Sequence, residues 1–146
     1  MLVPPPTYPI AVIALAELLG RAAPLGLPRG PLALLVGGTT GVIALALLIT
    51  AARTFRRAST AIEPWKATRQ LITTGVFARS RNPVYVSFLL GQLSIAWLIG
   101  NAWVLLLVPV TWLLLDRLQV RREERYLMTT FGDAYDAYRR LTPRWL

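Results

Sequence analysis

The sequence has no cysteine and no histidine. The first absence excludes disulfides, thiolate metal sites and a cysteine nucleophile. The second removes the usual general base and the commonest metal ligand. Acidic residues are scarce as well: seven Asp and Glu stand against sixteen Lys and Arg, a formal net charge of +9. Charged residues make up only 16% of the chain, against about 25% in an ordinary soluble domain. That shortage argues against disorder, a coiled coil and a cytosolic globule. Any chemistry must run on carboxylates, arginines, tyrosines, amides or a borrowed cofactor.

What is present is apolar. Of 146 residues, 55% are hydrophobic, and the mean hydropathy is +0.51. The length allows one domain or a small membrane bundle. All but one of the basic residues are Arg, the exception being Lys66. They lie between long apolar runs, so anionic lipid headgroups fit them better than nucleic acid does. The Arg bias points to a GC-rich bacterial genome and hence to a bacterial inner membrane. Residues 1–9 hold four prolines and no positive side chain, unlike the basic start of a secretory signal.

Four apolar stretches follow. The first runs from about Ile10 to Leu27, interrupted by Glu17, Arg21 and Pro24. The second runs from Pro31 to Ala52 without a charge. At about 1.5 Å per residue, it is long enough for a hydrocarbon core of about 30 Å. The third and fourth share Val84–Leu115, split near Gly100-Asn101. That block is short for two spans of about 20 residues each, so it predicts tilt, a thinned bilayer or snorkelling by Arg117 and Arg121. Arg53–Arg81 and Asp116–Leu146 each carry seven basic residues. The positive-inside rule puts both in the cytoplasm, with four spans and both chain ends inside. The expected fold is therefore an all-α integral membrane bundle with a cytoplasmic C-terminal amphipathic helix. It forms a single domain, a two-span hairpin at 1–65 followed by a core at 66–146.

Local signals each have two readings. Glu17 and Arg21 lie one helical turn apart and can pair, or they mark an intramembrane functional site. Gly37 and Gly41 make a G-x-x-x-G packing face, within the monomer or between copies. Asn82-Pro83 reads as the N-cap and first residue of the third span; the same geometry offers backbone N–H groups to an anion. Glu123-Glu124, among Arg121, Arg122 and Arg125, read as a solvated, salt-bridged face. The tail Tyr126–Leu141 repeats Phe131, Tyr135 and Tyr138, places Asp136 four before Arg140, and breaks at Gly132. It reads as an interfacial helix with its aromatics among headgroups, or as a lid over a site at the cytoplasmic end of the last hairpin.

Taken in order, these pieces carry a resemblance. Leu71-Ile72-Thr73-Thr74-Gly75-Val76-Phe77 is followed by Arg81-Asn82-Pro83-Val84-Tyr85 and a helical hairpin. Then come Arg122-Glu123-Glu124, Phe131-Gly132 with Tyr135 and Tyr138, and Pro143-Arg144-Trp145. From about Lys66 to Trp145 the chain resembles the membrane-embedded methyltransferases, which include isoprenylcysteine carboxyl methyltransferase and the phospholipid N-methyltransferases. The resemblance implies S-adenosylmethionine as cofactor, held at the cytoplasmic end of the last hairpin. It implies that Arg69, Gln70, Leu71, Ile72, Phe77, Asn82, Pro83, Val84, Tyr85, Glu123 and Glu124 line that cofactor, with Arg81 and Glu123 as the catalytic residues. It also implies an apolar acceptor entering from the bilayer.

The pattern departs from the family at several places. Asn82 stands where the carboxyl methyltransferases have His, Arg69 where they tend to have His, and Phe77 where Tyr is usual. Gln119 stands where an Arg is expected to hold a substrate carboxylate, which argues against a prenylcysteine acid and makes Gln119 the expected substrate contact. The chemistry suits the residues: carboxylates for the cofactor's cationic groups, Arg81 and helix N-termini for its carboxylate, and Phe77 or Tyr85 for its ring or sulfonium. The expected function is methyl transfer to a lipid-like or small hydrophobic acceptor. The rivals are a non-enzymatic membrane subunit binding anionic lipid or a partner protein, and a dinucleotide-dependent membrane reductase.

Overall fold

The computed structural model describes residues 4–58 and 70–146. Among these, the architecture is helical, and the one β-type contact is an isolated bridge between Gly26 and Asn101. Helix α1 (Thr7–Ala22) ends just before Pro24. Helix α2 (Pro31–Arg57) begins on Pro31, whose missing N–H costs nothing at a helix start. It runs five residues past Ala52 to Arg57, two of its last three residues being arginines. A 3₁₀ turn at Gly75–Ala78 leads to helix α3 (Pro83–Ile99), again opened by proline.

The hairpin turns where the sequence places it. Gly100 takes φ +70°, the left-handed conformation in which a Cβ is strained. Asn101 then caps helix α4 (Ala102–Leu106), its side chain accepting the Trp103 N–H at 2.9 Å. Pro109 interrupts the backbone ladder, so α4 gives way to helix α5 (Val108–Leu115). A π turn at Asp116–Val120 joins α5 to helix α6 (Arg121–Phe131). Gly132, at φ +51°, ends α6 and starts helix α7 (Asp133–Leu141).

The descending arm is therefore one continuous run, Ala102–Phe131. This resolves the expected shortage of length: the second arm does not stop at Leu115. That run and α2 are the two helices among the described residues long and apolar enough to cross a membrane. Along α2, Leu32, Leu34, Leu35, Val42, Ile43 and Leu45 are all more than half exposed.

The helices run alternately up and down. Gly37 and Gly41 of α2 meet α3, where a Cβ on Gly37 would stand 2.8 Å from Leu98 Cγ and one on Gly41 2.7 Å from Ser94 Oγ. The G-x-x-x-G face thus packs inside the monomer, and the Ser94 hydroxyl donates to the Gly37 carbonyl at 2.7 Å. Two clusters mark the ends of the bundle. At the hairpin-turn end, Ala16, Ala96 and Val104 are buried against Ile13, Leu27 and Trp103. Here Leu27 N–H donates to Gly100 O, Ala102 N–H to Leu25 O, and the Trp103 indole to Ala23 O. At the opposite end, Tyr85, Leu115 and Val120 are buried against Tyr8, Phe88, Leu89 and Trp145.

Glu17 does not pair with Arg21. Its carboxylate accepts from Asn101 Nδ2 at 2.8 Å, tying α1 to the hairpin turn. The tail differs in a similar way. Tyr135 and Tyr138 are buried against protein, with 2% and 8% exposure, and do not face outward. Arg139 and Arg140 lie on the exposed side, both paired with Asp136.

Candidate active site

The end of the bundle that gathers Tyr8, Tyr85 and Trp145 also gathers several of the expected site residues, Arg81, Asn82, Tyr85, Glu123 and Glu124 among them. Pro83 starts α3 and places Tyr85 half a turn inside it. The π turn adds a residue to the ladder of the descending arm, which sets the facing of everything after it. As a result Glu123 and Glu124 turn inward. The Tyr85 hydroxyl donates a short hydrogen bond to Glu123 Oε1, 38 residues away. Glu124 Oε1 accepts from Arg81 Nη1 at 2.6 Å, and Glu124 also takes a fork from Arg144, at 3.0 and 2.7 Å. The reading of these glutamates as a solvated face among Arg121, Arg122 and Arg125 is therefore replaced. Their partners come from α3, from Arg81 just before it, and from the C-terminal segment.

Arg81 and Asn82 are occupied differently from expectation. Arg81 Nε donates to Thr142 O at 3.0 Å, Arg81 Nη1 to the Tyr135 hydroxyl at 3.1 Å, and the Arg81 backbone N–H to Pro143 O at 3.0 Å. The Asn82 amide donates to Arg144 O at 2.8 Å, so its side chain does not cap α3. Together Arg81 and Asn82 clamp Thr142–Arg144 as a strap at this end of the bundle. Arg144 reaches on to Asp116, at 3.4 Å, within a charge cluster that also includes Arg117 and Arg121. Asp116 is 4% exposed, so removing these cations would leave a buried charge.

The remaining candidates spread out. Phe77 is buried, but its ring stands edge-on to Phe55 of α2 at 5.2 Å, and its carbonyl accepts from the Tyr138 hydroxyl at 2.6 Å. Burial holds the Tyr138 phenol above its ordinary value, the Arg81 charge partly offsetting it. Gln119 is buried, and its amide donates to the Tyr8 hydroxyl at 3.2 Å. Val84 accepts from Ser87 Oγ. Gln70 is exposed and Leu71 and Ile72 are half-buried in irregular backbone. Arg69 and Lys66 lie outside the described residues. Sequence reasoning gave no role to Tyr8, Asp116 or Arg144. Arg144 had one signal, its place in Pro143-Arg144-Trp145. Tyr8 had none, because its partner is 111 positions away.

Comparison with known proteins decides the family. The phospholipid methyltransferase family matches residues 32–134, more than half of the chain. The chain belongs to that family. It is 38% identical over 74 residues to a protein-S-isoprenylcysteine O-methyltransferase of Schizosaccharomyces pombe, covering 50% of this chain and 31% of that protein. It is also 38% identical over 63 residues to an uncharacterized protein of Haemophilus influenzae, covering 43% of this chain and all of that protein. The chain thus spans about a third of the length of the yeast methyltransferase. No solved structure gives a significant match. The family and the yeast relative support an enzyme that transfers methyl groups.

Proposed function

We propose that this chain is an S-adenosylmethionine-dependent membrane methyltransferase acting on a lipid-like or small hydrophobic acceptor. The observation that carries the reading is the Tyr85–Glu123 pair, brought from two helices to one end of the bundle in a chain of this family. The donor set fits the cofactor. Glu123 offers a carboxylate to an ammonium or ribose hydroxyl, and Tyr85 offers a ring face beside it. When bound, S-adenosylmethionine supplies a methyl group on a sulfonium, so the protein needs no nucleophile, metal or histidine of its own.

The chain's residues then do three things. Tyr85 fixes the Glu123 carboxylate by donating to it. Leu115 and Val120, both fully buried, exclude water from the floor beneath that pair. Arg81 and Arg144 neutralise Glu124 and hold the strap in place, which makes Arg81 a positioning residue. Because the electrophile would arrive with the cofactor, these residues would act through proximity, orientation and desolvation.

The reading includes four membrane spans, α1, α2, α3 and Ala102–Leu115, in one domain. Both chain ends and the site would face the cytoplasm of a bacterial inner membrane. The exposed leucines of α2 and the arginines at the site end support it. The α7 helix would lie at the interface, its tyrosines closing the site and its arginines toward headgroups. Gln119 with Tyr8, neither of them charged, favours an acceptor without a carboxylate. Thermal-shift titration in detergent with S-adenosylmethionine and S-adenosylhomocysteine tests the reading. A rise in melting temperature with both supports it. No shift with either favours a non-enzymatic membrane subunit.

A further inference from the structure

We infer that Trp145 recognises the methyl acceptor, its indole N–H holding an oxygen atom of a lipid-like molecule; the inference rests on the methyltransferase reading above. Trp145 Nε1 is a buried polar atom with no hydrogen-bond partner among the described residues. Buried donors are rarely left unpaired, because an unmade bond is costly there. An indole N–H only donates, so the missing partner is a lone pair and not an ammonium.

The surroundings say what carries that lone pair. The ring of Trp145 packs against the buried cluster of Tyr85, Leu115 and Val120, as Tyr8 and Phe88 do. It also lies 6.0 Å from the ring of Trp112, which is 40% exposed. Trp145 therefore links an exposed aromatic of α5 to the cluster that contains Tyr85, the residue that holds Glu123. A molecule approaching from lipid would meet this indole next to the Tyr85–Glu123 pair. Its N–H is a donor in an otherwise apolar and aromatic wall, which suits an oxygen placed close to the methylated atom of a hydrocarbon-rich acceptor.

The ring is not free to seek another partner. Asn82 and Arg81 grip the backbone of Pro143 and Arg144, and the Arg144 side chain is forked onto Glu124. Trp145 and Tyr8 both lie outside residues 32–134, the segment matched by the family.

Indole ¹⁵N–¹H spectra of the full-length protein in detergent micelles test this directly. Trp145→Phe keeps the ring wall, deletes the N–H and identifies its resonance. Three probes are added in turn: phosphatidylethanolamine, with phosphodiester and ester oxygens; S-farnesylcysteine, with a carboxylate; and hexadecylamine, with no oxygen. The Trp145 signal is expected to move downfield with an oxygen-bearing probe and to stay within its linewidth with hexadecylamine. Which oxygen-bearing probe moves it identifies the source. The affinity for that probe is expected to fall in Trp145→Phe, about three- to tenfold for a neutral ester oxygen and more than about tenfold for a phosphodiester or carboxylate oxygen. Equal shifts with all three probes, or none with any, overturn the inference. S-adenosylmethionine binding in the same samples separates the two claims. If the wild type binds cofactor and the indole ignores every probe, only this inference fails. If it binds no cofactor, the methyltransferase reading fails and takes the inference with it.

Discussion

Arg81, with 10% side-chain exposure, and Glu124, with 17%, form an ion pair that water screens poorly. Arg81→Ala removes this pair and the bonds to Thr142 O and the Tyr135 hydroxyl, while Glu124 keeps its fork from Arg144. It should therefore destabilise the protein by about 1–3 kcal/mol, read as a lower melting temperature in detergent. Glu123 is in a different position, because its partner is a neutral phenol. Glu123→Gln can keep a hydrogen bond to Tyr85 and should cost little stability. Tyr138 gives a pH dependence. Its phenol is raised above the ordinary value of about 10 by burial. A group raised on folding stabilises fully below its unfolded value and loses that contribution as pH climbs toward the folded one. Melting temperature should thus fall as pH rises beyond about 10, and Tyr138→Phe should flatten that fall while costing about 1 kcal/mol at neutral pH. An unchanged alkaline slope in Tyr138→Phe would remove this tyrosine from the account. At this scale the sequence was only partly legible. Tyr85, Glu123 and Glu124 could be named as candidates, but not their partners. Nothing local links Arg144 to Glu124, or Tyr8 to Gln119, because such pairs depend on how distant helices pack.

Among the elements, the hairpin was readable because its signals are local. Gly100 supplies the left-handed turn, Asn101 the cap and Pro83 the start of α3. The π turn at Asp116–Val120 was not readable. Asp-Arg-Leu-Gln-Val carries no breaker and reads as ordinary helix. Yet an α-helix rotates about 100° per residue at 3.6 residues per turn, so one extra residue decides which side chains of α6 face inward. Deleting Leu118, whose side chain is exposed, should convert the turn to plain α-helix with Glu123 and Glu124 still facing Tyr85 and Arg81, because the π turn absorbs one residue. The expected result is retained cofactor binding with helix content by circular dichroism nearly unchanged. Loss of binding in a folded variant would show that the extra residue is not simply absorbed by the turn. The α2–α3 contact gives a second test. A Cβ at Gly37 would also come within 3.2 Å of the Ser94 carbonyl oxygen, which is backbone and cannot swing aside. Gly37→Val should cost about 1–3 kcal/mol, the usual range for overpacking. The equivalent change at Gly38, with nothing near its Cβ, should be mild.

For the whole molecule, composition alone pointed to a helical membrane protein, and the charge distribution pointed to which end faces the cytoplasm. The structure brings Tyr8, Tyr85 and Trp145 to one end and the Gly100 turn to the other. Reporter fusions after Leu146 and at Gly100 should therefore read opposite sides of the membrane, cytoplasmic and external. The central claim is that the Tyr85–Glu123 end of the bundle holds S-adenosylmethionine. Isothermal titration calorimetry of the cofactor against wild type and Glu123→Gln in the same detergent tests it most directly. The account predicts saturable binding to the wild type and a loss of about 1.5–3 kcal/mol in the variant, the scale of a hydrogen bond to a charged group. Equal affinities, or no binding to the wild type, would contradict it.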